Sequence, residues 1–204
     1  MFTNMKLATK LFGSFVVVLT LMVGLGIYSI AQLASVNNST VDIAKNWLPS
    51  VRTALEVRAL INRVRFLEYR LVVDELADTP VTKKELDEKI GALKTAAKSY
   101  EKLITNSEDR QMYDAITTGL ADYLATSDKL QAYALVDKDT EAIAILKGDS
   151  RKAYNTVRDT ADKLAQWNTD GAEKATELAA ATYASARLWV IVALSVCAVI
   201  ALAM

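Results

Sequence analysis

Histidine is absent from the 204 residues, and the only cysteine, Cys197, lies inside an apolar run near the end of the chain. The polar part of the chain therefore has no disulfide framework and no Cys/His metal cluster, and no metal or cofactor is expected. It also has no histidine for a catalytic triad or general base. No glycine-rich phosphate loop or paired-carboxylate motif replaces one, so no catalytic residue and no enzyme activity is expected. Two prolines and seven glycines leave little punctuation for hairpins and sheets. Neither sign of charge is in excess: 24 basic residues balance 24 acidic ones, which gives no footing for nucleic acid.

What the chain does contain is helix-forming Ala, Leu, Lys, Glu and Asp, and two long apolar runs. The first, Leu11 to Ile30, carries no charge and is long enough to cross a ~30 Å hydrocarbon core. Lys6 and Lys10 precede it and favour a cytoplasmic N-terminus. The second run, Leu188 to Met204, is still apolar where the sequence stops, as expected of a span whose cytoplasmic continuation is missing. The layout is then 1–10 cytoplasmic, 11–30 first transmembrane helix, 31–187 periplasmic sensor domain, and 188–204 second, truncated, transmembrane helix. A cleaved signal peptide is the alternative for the first run, since Ser29-Ile30-Ala31 loosely fits a cleavage site. Its apolar stretch, however, exceeds the usual ~7–15 residues.

Three breaks divide the middle of the chain: Asp78-Thr79-Pro80, Thr105 to Asp109, and Val136 to Thr140. Pro80 suits a first helical position, Thr82-Lys83-Lys84-Glu85 offers a capping box, and Asn106 with its acidic followers reads as a capped helix start. The spacing predicts helices over 31–77, 81–105, 108–136 and 140–187. The fold class expected is all-α: an antiparallel up-down-up-down four-helix bundle whose long first and last helices continue into the membrane.

The first of these helices carries two apolar stripes. Val57, Leu60, Val64, Leu67 and Leu71 form one heptad seam. Nearly opposite run Leu48, Val51, Leu55, Arg58, Asn62, Arg65, Tyr69, Val72 and Leu76. A monomeric bundle buries one stripe, so the second calls for a homodimer partner across this helix. In the last helix the expected core seam is Ile143, Leu146, Ser150, Ala153, Val157, Thr160, Leu164 and Trp167, flanked by Arg151, Tyr154 and Arg158. Counted from the distal loops, Arg151 and Arg158 stand level with Phe66 and Ala59. The candidate ligand-binding residues are thus Arg58, Asn62, Arg63, Arg65, Tyr69, Arg70, Arg151, Tyr154 and Arg158. Clustered guanidiniums and a phenol suit a small ligand with several carboxylates. The bland alternative is a set of surface ion pairs with Glu56, Glu68, Asp74, Asp159 or Asp162.

The opening MKLATKLFGSFVVVLTLMVGLGIYSI, the segment NWLPSVR (Asn46 to Arg52), the bundle proportions and LAQWN (Leu164 to Asn168) together resemble a bacterial chemoreceptor, a methyl-accepting chemotaxis protein. The resemblance implies an inner-membrane, two-pass receptor whose first-helix arginines bind ligand across a dimer interface, helped by the fourth helix. Arg70 and Asp74 align best with the arginine-bearing segment, while Arg63 and Arg65 fit loosely. Phe66 stands where the amino-acid receptors carry an arginine, and Arg151, Tyr154 and Arg158 are additional. The ligand class implied is an organic acid such as malate, succinate or citrate, with an amino acid as the alternative. The resemblance also implies membrane lipid around the spans, and a cytoplasmic adaptor and kinase reached through the missing C-terminal part. A sensor histidine kinase with the same input domain, or a structural membrane protein without a ligand, are the rival readings.

Overall fold

The protein, described by a computed structural model, is defined over residues 7–73 and 78–202. Lys6, Asp74, Leu76, Ala77 and Met204, and the side chain of Lys10, lie outside the described residues. The helices are α1 (Leu7–Asp42), α2 (Leu48–Val73), α3 (Thr79–Tyr100), α4 (Ser107–Ala134), α5 (Asp139–Lys147) and α6 (Asp149–Leu202). A π-helical turn, Ile43–Trp47, separates α1 from α2, and no strand occurs among the described residues. The chain divides into two units, one of Lys45–Ala172 and the other of α1 with α6 from Glu173 onward.

The first unit is the four-helix bundle. Its core is built at heptad spacing: Ala54, Val57, Ile61, Val64, Leu67 and Leu71 from α2, and Tyr113, Ile116, Leu120, Tyr123 and Leu130 from α4. Leu86, Leu93 and Ala97 of α3 close one side, and Val157, Ala161 and Leu164 of α6 the other. Four positions of the expected seams move by one residue: Ile61 is buried in preference to Leu60, Ala142 to Ile143, Ala161 to Thr160 and Asn168 to Trp167.

Local chemistry sets the ends of the helices. Asn106 caps α4, its side chain accepting from the backbone N–H groups of Glu108 and Asp109, as the sequence indicates. Asp137 adopts a left-handed conformation (φ 64°) and ends α4, with the Lys138 N–H reaching back to the Tyr133 carbonyl. Pro49 lacks the N–H that α2 would send back to Lys45, and its ring crowds that carbonyl; the π-helical turn just before it absorbs the extra residue. Two expectations are corrected. The Thr82–Glu85 capping box does not form, because α3 already begins at Thr79, Thr82 is buried, and Glu85 pairs with arginines of α2. The expected fourth helix is split at Gly148, whose ψ of −110° ends α5; a Cβ there would sit 2.9 Å from the Ala144 carbonyl oxygen.

At the end where α2 begins and α6 leaves the bundle, buried polar groups join three helices. Asn168 Nδ2 donates to the Tyr100 hydroxyl (2.7 Å), which donates to Asp109 Oδ1 (2.7 Å). Beside them Trp47 and Trp167 pack with ring centroids 5.6 Å apart.

In the second unit, Phe12, Phe15, Ile27, Ile30, Leu188, Trp189 and Val199 are all more than half exposed. Helices apolar on all sides suit lipid rather than water. Both long helical runs contain a stretch long and apolar enough to cross a membrane.

Gly171 gives a test of the packing. A Cβ there would meet the Trp47 ring at 2.2 Å. Gly171→Ala should lower stability by about 1–2 kcal/mol in thermal or urea melts, the overpacking cost exceeding the helix-propensity gain. In a Trp47→Ala background the same substitution should be neutral or stabilising.

Candidate functional site: a groove between α2 and α6

Residues 58, 62, 65 and 69 share one face of α2, and 150, 154, 158 and 162 share one face of α6. The two helices run antiparallel, so these faces meet as a ladder of side-chain pairs. Arg58 Nε lies 2.8 Å from Asp162 Oδ1. The Tyr154 hydroxyl donates to Asn62 Oδ1 at 2.8 Å. Arg65 Nη1 donates to Ser150 Oγ at 2.7 Å, and its Nη2 donates to the Leu146 carbonyl. The guanidiniums of Arg65 and Arg158 lie 5.5 and 5.4 Å from the Tyr154 ring centre, within cation–π range. Arg65 also lies 5.2 Å from the ring of Tyr69. Arg158 donates through Nε and Nη2 to Asp159.

Beneath this ladder the arginine enters the core. Arg65 is 6% exposed and Glu68 0%, so the second stripe read from the sequence is corrected at two places: Arg65 and Val72 lie inside the bundle. The exposed apolar seam of α2 runs instead through Leu48, Leu55, Ala59, Asn62, Phe66, Tyr69 and Val73. Glu68 Oε2 accepts from Arg65 Nη1 (3.1 Å) and from the Tyr123 hydroxyl (2.7 Å). Glu68 Oε1 has no hydrogen-bond partner among the described residues. Burial pushes the Glu68 carboxyl above its ordinary value, while Ser127, Tyr123 and Arg65 pull it back. Burial, reinforced by the neighbouring Glu68, pushes the Tyr123 phenol up and keeps it a donor.

Arg63 and Arg70 are not in this groove. One step further round α2, both face α3 and pair with Glu85, Arg70 at 3.8 Å, and Arg63 also stacks 5.1 Å over Phe66. Arg151 is exposed and makes no ion pair among the described residues. Of the nine candidates, then, Arg58, Asn62, Arg65, Tyr69, Tyr154 and Arg158 come together, while Arg63 and Arg70 form a second group. The proposed excess of positive charge is largely neutralised within the groove by Asp159, Asp162 and Glu68. Glu68 and Tyr123 pair across 55 positions of sequence, a separation no local pattern marks. The available signal was Glu68 itself, a charge at a heptad core position between Val64 and Leu71.

Residues 4–183 match the family described as a four-helix-bundle sensory module for signal transduction. The chain belongs to that family. No curated protein matches it. In this sensory module α6 is a single helix from Asp149 to Leu202, passing from the groove out of the bundle without interruption.

The two kinds of arginine are separable by stability. Arg65→Ala should cost about 3–5 kcal/mol in equilibrium unfolding, because it strands a buried carboxylate. Arg58→Ala should cost less than about 1 kcal/mol, as for an exposed pair.

Proposed function

We propose that this sensory module is the input half of a two-pass chemoreceptor that binds a small di- or tricarboxylate in the α2/α6 groove. The observation that carries the reading is the Tyr154–Asn62 hydrogen bond, which holds a phenol from α6 against α2 with Arg58 and Arg158 both about one helical turn away on the same side of it. Arg58 and Arg158 are at present paired with Asp162 and Asp159, but both pairs are solvent-exposed. Exposed pairs are worth about 0–1 kcal/mol, so an incoming carboxylate exchanges one partner for another at small cost. Arg58, Tyr154 and Arg158 contact the ligand in this reading, and Arg151 and Tyr69 border it. Arg65 positions Tyr154 from below.

The partner proposed is a second copy of the chain, docked through the exposed α2 seam. Leu48, Leu55, Phe66, Tyr69 and Val73 lie at heptad spacing on that face and are 43–76% exposed. Asn62 stands midway, the kind of polar seam residue that fixes register in a parallel pair. Residues 11–30 and 188–204 would span the inner membrane, with the bundle in the periplasm. The output would be a displacement of α6 on the order of 1–2 Å, since a ligand shifts two states only by its differential affinity for them.

An amino-acid ligand is the second reading, and one observation favours it. Asp159 and Asp162 stand beside the groove arginines and are acceptors for an ammonium group.

A thermal-shift screen of the full chain in detergent should find a hit among malate, succinate, citrate and the amino acids. Saturation at 100 times the dissociation constant should add about 2.7 kcal/mol. Arg158→Ala should weaken the hit roughly 10- to 100-fold, the value of a charge-assisted hydrogen bond, whereas Arg63→Ala should leave it unchanged. Loss of affinity with Asp159→Asn and Asp162→Asn would select the amino acid, and a gain would select the organic acid.

A further inference from the structure

The groove reading makes no use of Glu68, a carboxylate sealed inside the bundle with half of its hydrogen-bonding capacity unmet. One oxygen receives Arg65 and Tyr123; the other has no partner among the described residues, and the residue is 0% exposed. An unmet carboxylate oxygen in a buried position is costly, and a proton is the smallest ligand that relieves it. Arg65 is the charged group that faces Glu68, and it comes from the same helix. From α4 the facing groups are the Tyr123 phenol and the Ser127 hydroxyl, which accepts from Gln131 and keeps its own O–H to turn toward Glu68. From α5 and α6 come the Leu146 carbonyl and the Ser150 hydroxyl, both held through Arg65. From α3 the buried positions are Thr82, Leu86, Leu93, Ala96, Ala97 and Tyr100; of these only Tyr100 ionises, and it is engaged with Asp109 and Asn168, while Glu85 turns to Arg63 and Arg70.

We infer that Glu68 is a proton-binding site, and that its protonation releases Arg65 from the core into the α2/α6 groove. The proton goes to the unpartnered oxygen. The neutral acid no longer compensates the guanidinium, and a buried cation without its anion is strongly disfavoured. The way out is marked: the rings of Tyr69 and Tyr154 lie 5.2 and 5.5 Å from the guanidinium and receive it as it turns outward. Leaving also frees the Leu146 carbonyl and Ser150, the two groups on either side of the break at Gly148. Acid therefore adds a cation to the groove and loosens the joint between α5 and α6. The inference stands apart from the carboxylate reading, because proton uptake is read with no other ligand present.

The linkage has a definite sign. The folded-state value of Glu68 is raised above its ordinary 4.5, so its contribution to stability is fully present below that value and is lost as pH rises through the folded one. Relative to Glu68→Gln, the wild type should therefore gain melting temperature as the pH falls.

The direct test is infrared titration of the full chain in detergent. The wild-type minus Glu68→Gln difference should show one carboxylic-acid band with a midpoint above 4.5. Tyr123→Phe, which removes a donor to the carboxylate, should shift that midpoint upward, and it keeps the test available if Glu68→Gln fails to fold. Labelling with an arginine-specific dicarbonyl at mildly alkaline pH should spare Arg65 in the wild type and modify it in Glu68→Gln. A band with its midpoint at or below the ordinary value, or an unmoved midpoint in Tyr123→Phe, would overturn the proton site. Equal protection of Arg65 in the two proteins would overturn the release.

Discussion

Arg65 sits in the bundle interior, and much of the local architecture follows from what a guanidinium needs there. Five N–H donors on a delocalised cation must find acceptors and a counter-charge. Glu68, one turn along α2, supplies the charge. The break at Gly148 supplies the rest: it ends α5 so that the Leu146 carbonyl is free to accept, and it places the Ser150 hydroxyl at the start of α6. Tyr123 then reaches across from α4 to share Glu68. Four helical segments are joined through this one pair of side chains. An uninterrupted fourth helix would send the Leu146 carbonyl back into its own hydrogen-bond ladder and leave Arg65 short of a partner.

The same arginine divides the α2/α6 interface into an inner and an outer layer. The inner layer holds the Arg65–Glu68–Tyr123 cluster and sets how the helices pack. The outer layer, Arg58, Asn62, Tyr154 and Arg158 with Asp159 and Asp162, is solvated, and its ion pairs are weak enough to exchange. Tyr154 belongs to both: its hydroxyl binds Asn62 at the surface, and its ring lies 6.3 Å from Tyr123 in the core. At the opposite end of the bundle, Tyr100, Asp109 and Asn168 form a satisfied network, and Trp47 sits in a notch that only glycine at 171 leaves open.

The large features were legible because each rests on a repeating signal. Heptad spacing marked α2, the cap at Asn106 marked α4, and uncharged length marked the two apolar helices. The matched height of residues 58–65 and 151–158 was also legible, and Tyr154 meets Asn62 as that count requires. What was not legible is rotation by a single residue. Residues 62 and 63, or 65 and 66, differ by about 100° on a helix. That step sends Arg63 to α3 and Arg65 into the core, and leaves Phe66 outside. Nor does composition reveal the break at Gly148, since one glycine in a helical pattern is ordinarily tolerated. The core site was signalled only by a charge at a seam position, a signal that reads as a defect until its partners on α4 and α6 are in view.

The account stands on Arg65 and Glu68 acting as one buried unit that pins α2 to the α5–α6 joint. A double-mutant cycle measures this directly, with Arg65→Met, Glu68→Gln and the combined variant unfolded in urea. Coupling of about 2 kcal/mol or more is predicted, with the double variant more stable than Arg65→Met alone. Additive effects, with coupling below about 0.5 kcal/mol, would contradict it.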